Sequence, residues 1–137
     1  MTEPFVDTDV LVRLVTADDP VKHAAASALF RRVVAGEVVV RAPESVIADT
    51  VYVLSSPRLY ALSRDQVRAA LAPLLDLPSF RVRNRQQVRR ALDLYAATRL
   101  DFSDALLIAA MEEEGIAELY SYDQHFDLID GITRREP

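Results

Sequence analysis

Short apolar runs alternate with longer helix-like stretches along the whole chain, and that alternation limits the folds open to it. Residues 4–6 read as a short buried strand, followed by a helix over about 8–15. Asp18-Asp19-Pro20 sets a cap and a first-turn proline at the start of a second helix, which stops at Gly36. Val38-Val39-Val40 is a β-branched strand. Pro43 opens a third helix that ends before Pro57, and Ser63 caps a fourth that runs to about Asp76. Phe80-Arg81-Val82 is another strand, and Asn84 caps a fifth helix through about Thr98. A sixth spans about 101–114 with Gly115 as its stop, and Leu119-Tyr120-Ser121-Tyr122 is a strand. Ile132-Thr133 adds a last candidate strand. Strands that alternate with helices predict an α/β architecture with a mainly parallel sheet covered on both faces. In such sheets active sites lie beyond the carboxyl ends of the strands.

With 137 residues, one domain over 1–137 is expected. The chain has no cysteine, which excludes disulfides, thiolate catalysis and zinc sites of the cysteine type. The N-terminus lacks a basic region followed by a long apolar stretch, and no apolar run is long enough to span a bilayer. A cytoplasmic protein with no membrane partner is the expectation. The net charge of −5 argues against non-specific binding to nucleic acid but leaves room for a local basic groove. Lys22 is the only lysine, so any scheme that needs a catalytic lysine has one candidate.

Four acids stand where chemistry is expected. Asp7 ends the first strand and Asp123 ends the Leu119–Tyr122 run, so both reach the same sheet edge if the strands are parallel. Asp104 lies in the first turn of the sixth helix and Asp49 in the middle of the third. Each also fits a plainer role. Asp7 can satisfy amides of the helix after it, Asp123 can cap a short turn through Phe126, and Asp101 with Asp104 can form an acidic capping box. Asp49 differs, because its helical neighbours Ser45, Val46, Tyr52 and Val53 make a largely apolar face on which a carboxylate needs a partner. Carboxylates that converge at one edge repel, and a divalent cation removes the repulsion. An all-oxygen ligand set suits Mg²⁺ or Mn²⁺, which can activate water against a phosphodiester. That chemistry needs neither histidine nor lysine. With His23 and His125 as the only histidines, a two-histidine ribonuclease is poorly supported, and His125 reads as a surface or structural residue.

The opening run FVDT, an acid in a middle helix after P-x-x-V, the late DFSDALLIAA and the LYSYDQHF that follows resemble the PIN-domain family. Within it they are most similar to the VapC-type toxins of bacterial toxin–antitoxin pairs, and the likeness runs from Phe5 to about Ile132. The resemblance implies a three-layer α/β/α domain with a central, mainly parallel sheet of four to five short strands. It further implies a metal-dependent endoribonuclease that forms a homodimer and is inhibited by a cognate antitoxin. The family's acidic site maps onto Asp7, Asp49, Asp104 and Asp123, with Thr8, Asp9, Asp101 and Ser121 in support. Two positions depart from the pattern: Asp9 stands where the family usually has Asn or Ser, and Asp49 replaces the usual, longer Glu.

Two other readings compete. A haloacid-dehalogenase-type phosphatase also opens on D-x-D, with Asp7 as nucleophile and Asp9 as acid/base, but Lys22 lies too early and Asp123 has no role in it. A non-catalytic module of the same fold is the other, and intact acids argue against it. For the RNA substrate, the stretch RVRNRQQVRR gathers Arg81, Arg83, Arg85, Arg89 and Arg90, with Arg13, Arg31 and Arg32 near the first two helices. Arg13, Arg85 and Arg89 are the leading candidate phosphate contacts, beside a solvated-face reading for each. An antitoxin is expected near the first two helices, where Val10, Leu11, Leu14, Val15, Leu29, Phe30 and Val33 are the available apolar residues unless they are core.

Overall fold

In the computed structural model, which describes residues 2–137, six helices and four short parallel strands realise the expected α/β architecture. In chain order they are α1 (Thr8–Val15), α2 (Pro20–Val34), β1 (Val40–Ala42), α3 (Glu44–Ser55), α4 (Arg64–Leu75) and β2 (Phe80–Val82). Then come α5 (Arg85–Ala97), α6 (Phe102–Glu114), β3 (Glu118–Tyr120), a 3-10 turn (Gln124–Leu128) and β4 (Thr133–Arg135).

Local chemistry explains most of the boundaries. Asp7 and Asp19 cap α1 and α2 through their carboxylates, and Ser63 with Gln66 forms a reciprocal capping box on α4. Gly115 ends α6 in the left-handed region, at φ 69°, where a side chain would be strained. Asn84 departs from expectation: it sits at φ 53°, makes no side-chain cap, and donates its amide to Glu44 instead. Two strands are displaced from their β-branched or aromatic runs. The first of these begins at Val40, because pairing with Phe80–Val82 sets its register; the other is centred on Leu119 and ends at Tyr120.

The strands are three residues long and pair in two parallel ladders, β1 with β2 and β3 with β4. The expected first strand is reduced to a single parallel bridge from Phe5 to Arg41, since Asp7 already caps α1 and cuts the ladder short. One face of this ladder supplies Val6, Val40, Ala42, Phe80 and Val82 to a contiguous core with Leu11, Phe30, Val51, Leu92 and Ile108. The opposite face carries Phe5, Arg41 and Arg81 and stays open. The apolar residues of α1 and α2 are core: Leu11, Phe30 and Val33 are buried, and Val10, Leu14, Val15 and Leu29 pack half-buried against them. They offer no ready antitoxin surface. No helix among the described residues is long and apolar enough to cross a membrane.

Candidate active site

Asp101 is the N-cap of α6, and its Oδ1 accepts the Asp104 N–H at 2.8 Å. This bond gathers the two acids at one helix end, a place where the positive end of the helix favours carboxylates. The favour is not enough for Asp104. Burial and then the negative charges of Asp101 and Asp123 push its carboxyl above the ordinary aspartate value, while His125 pulls the other way. Asp123 is therefore an electrostatic neighbour of Asp104. It lies beyond the end of β3 at Tyr120, in the turn that follows through Ser121 and Tyr122, rather than on the strand itself.

That turn fixes Asp123 tightly. Its N–H donates to Ser121 Oγ at 2.9 Å, and its Oδ1 accepts from the His125 N–H at 2.9 Å and lies 2.9 Å from His125 Nδ1. The His125 amide, against the effect of burial and with help from the His125 ring and Arg134, holds the Asp123 carboxyl below its ordinary value. The resemblance implies Ser121 in support of an acid, and its hydroxyl accepts the Asp123 N–H. His125 is the partner that sequence reading misses, although its position two residues after Asp123 in a tight turn is the available signal.

The remaining candidates stand apart. Asp7 is exposed at the N-cap of α1 and accepts from the Val10 N–H at 3.2 Å. Thr8 begins α1, and Asp9 lies 3.4 Å from Arg13 on the helix surface, engaged in an ion pair rather than poised as the acid of a phosphatase pair. Asp49 is exposed, which corrects the expectation of an apolar setting. The buried stripe of α3 is Ile47, Thr50, Val51 and Leu54, and Asp49 shares the outer side with Ser45 and Tyr52. No hydrogen bond or ion pair joins Asp7 or Asp49 to the Asp101–Asp104–Asp123 group among the described residues.

Among the described residues no three His, Asp or Glu side chains gather closely enough to form a closed metal cage. The donor chemistry nevertheless fits a hard divalent cation. The candidate donors are all oxygen, burial and then the neighbouring carboxylates raise Asp104, and Mg²⁺ commonly takes one or two protein carboxylates together with waters and substrate phosphate. Three of the arginines singled out from sequence are engaged elsewhere. Arg13 reaches Asp18 at 3.3 Å, Arg85 donates to the Phe80 carbonyl at 2.5 Å, and Arg89 bonds Asp93 at 2.7 Å and Asp76 at 3.2 Å.

A family model described as "PIN domain" matches residues 5–132. The chain belongs to the PIN-domain family. That assignment leaves no place for the phosphatase reading. No curated protein matches the chain. Among solved structures it is similar to Mycobacterium tuberculosis VapC20, a Sarcin-Ricin loop cleaving toxin. The identity is 24%, over 91% of this chain and 93% of that one, with a TM-score of 0.42.

Proposed function

We propose that this PIN-domain protein is a metal-dependent endoribonuclease of the toxin type, held in check by a cognate antitoxin in the cytoplasm. The observation that carries the reading is the pairing of Asp101 and Asp104 at the N-terminus of α6, where burial and then the charges of Asp101 and Asp123 raise the Asp104 carboxyl. Charge gathered this way calls for a cation. Asp104 and Asp123 are the first residues assigned to hold Mg²⁺ or Mn²⁺, with Asp7 and Asp49 completing the acidic set. A bound divalent ion would supply an activated water and counter-charge for the departing oxygen of a phosphodiester. The chain's own residues prepare that event. Asp101 orients Asp104 through its amide, and Ser121 sets the turn that aims Asp123. His125 beside Asp123 places its proton on Nδ1 when it donates to that carboxylate, which leaves Nε2 free to accept.

A non-catalytic module is the second reading, favoured by the open spacing of the acids. RNA digestion separates the two. Wild type is expected to cut RNA with Mg²⁺ or Mn²⁺ and to stop in EDTA. Asp104→Asn is expected to lose about a hundredfold or more, since removing even a residue behind a metal ligand costs about 10–100-fold. Cleavage that persists in EDTA, or an active Asp104→Asn protein, contradicts the mechanism.

A further inference from the structure

The open face of the β1–β2 ladder carries an aromatic ring among cations. Parallel register sets Phe5 beside Arg41 and Arg41 beside Arg81 in one row. Neighbouring Val6, Ala42 and Val82 turn to the core, so the row faces outward. A cavity of about 350 Å³ is lined by Phe5, Arg41, Pro43, Arg81 and Arg83 among others. Phe5 is 68% exposed. Parallel ladders are normally covered on both faces, which makes this one unusual.

The Glu3 carboxylate already sits among these cations. Its Oε1 lies 2.7 Å from Arg41 Nε and 2.6 Å from Arg41 Nη2, and Arg81 Nη1 reaches both its oxygens at 3.1 Å. Two guanidinium groups clasping one planar anion is a geometry that equally serves a phosphate. Arg83 makes no ion pair among the described residues, and nearby Glu44 is turned to Asn84. Three arginines thus face one glutamate in a chain whose net charge is −5.

We propose that this face is a subsite for single-stranded RNA, with Phe5 stacking a base and Arg41, Arg81 and Arg83 holding phosphates, and with Glu3 occupying the phosphate position when RNA is absent. The inference rests on the ribonuclease reading for its substrate, and Asp7 stands two residues beyond Phe5 on the same segment. Stacked bases on aromatic rings beside cations are the general means of holding single strands.

The test is fluorescence anisotropy of a labelled short single-stranded RNA of mixed sequence with the full chain, in EDTA and across salt concentrations. Phe5→Ala is expected to weaken binding about tenfold. Arg83→Ala, and Arg41→Ala with Arg81→Ala, lower the salt slope by about 0.7 per arginine removed. Glu3→Gln tightens binding, whereas a purely structural ion-pair triad gives no gain. Arg90→Ala, whose guanidinium is bound to Glu112, serves as a control and leaves binding unchanged. Circular dichroism checks that each variant folds, and Arg83→Ala breaks no ion pair. Wild-type affinity in Phe5→Ala and Arg83→Ala, no gain in Glu3→Gln, or no RNA binding by wild type overturns the proposal. If the variants bind normally while wild type still cleaves with metal, the subsite falls and the ribonuclease stands. If binding that depends on Phe5 and Arg83 persists without cleavage, the ribonuclease falls and the RNA face stands. Self-association of Glu3→Gln with unchanged RNA binding marks a protein interface and also overturns it.

Discussion

Asp104 is the residue at which function and stability pull apart. Its folded carboxyl lies above the ordinary aspartate value because of burial and the neighbouring anions. A raised folded value means that the favourable contribution is present at low pH and lost as pH rises through that value. At neutral pH the ionised group therefore strains the metal-free fold. Asp104→Asn is expected to raise the melting temperature in EDTA by a few degrees at neutral pH, and the gain should shrink toward acid. A lower melting temperature at neutral pH counts against this account. Sequence says which acids to inspect, but not what surrounds them. Asp49 looked buried beside Val46 and Val53, yet the stripe that turns inward contains Thr50, whose hydroxyl is satisfied by the Val46 carbonyl at 2.7 Å. Spacing on one helix does not say which side the rest of the chain will cover.

At the scale of elements, caps and stops were the readable part. Asp19, Ser63 and Gly115 act where their chemistry predicts, because capping is decided within a few residues. Strand bounds moved because pairing partners decide them. Long-range ion pairs were also invisible. Arg68 on α4 and Arg89 on α5 both meet Asp93, at 2.8 and 2.7 Å, and Arg89 reaches Asp76 at the end of α4. Burial would raise the Asp93 carboxyl, but bonds from Arg68 and Arg89 outweigh it and hold it low. A lowered folded value gives stability that is present above the unfolded value and lost as pH falls through the folded one. Asp93→Asn is expected to cost about 1 kcal/mol at neutral pH, a modest figure because solvent screens the pair. Urea unfolding from neutral to acid pH checks this: the difference from wild type should fade in acid, and a constant difference contradicts the assignment.

For the whole molecule, alternation of strands and helices announced the α/β class, and the motifs from Phe5 to Ile132 announced the family. What they could not announce was which cations remain free. Arg13, Arg85 and Arg89 are tied down by partners distant in sequence or by backbone carbonyls, while Arg83 stands on the open face. The proposed function stands or falls on a divalent cation held by these acids. Calorimetric titration of Mn²⁺ into the full chain tests it most directly. Saturable binding to wild type is predicted, weakened at least about tenfold in Asp104→Asn and in Asp7→Asn. No binding to wild type, or equal binding in both variants, would contradict it.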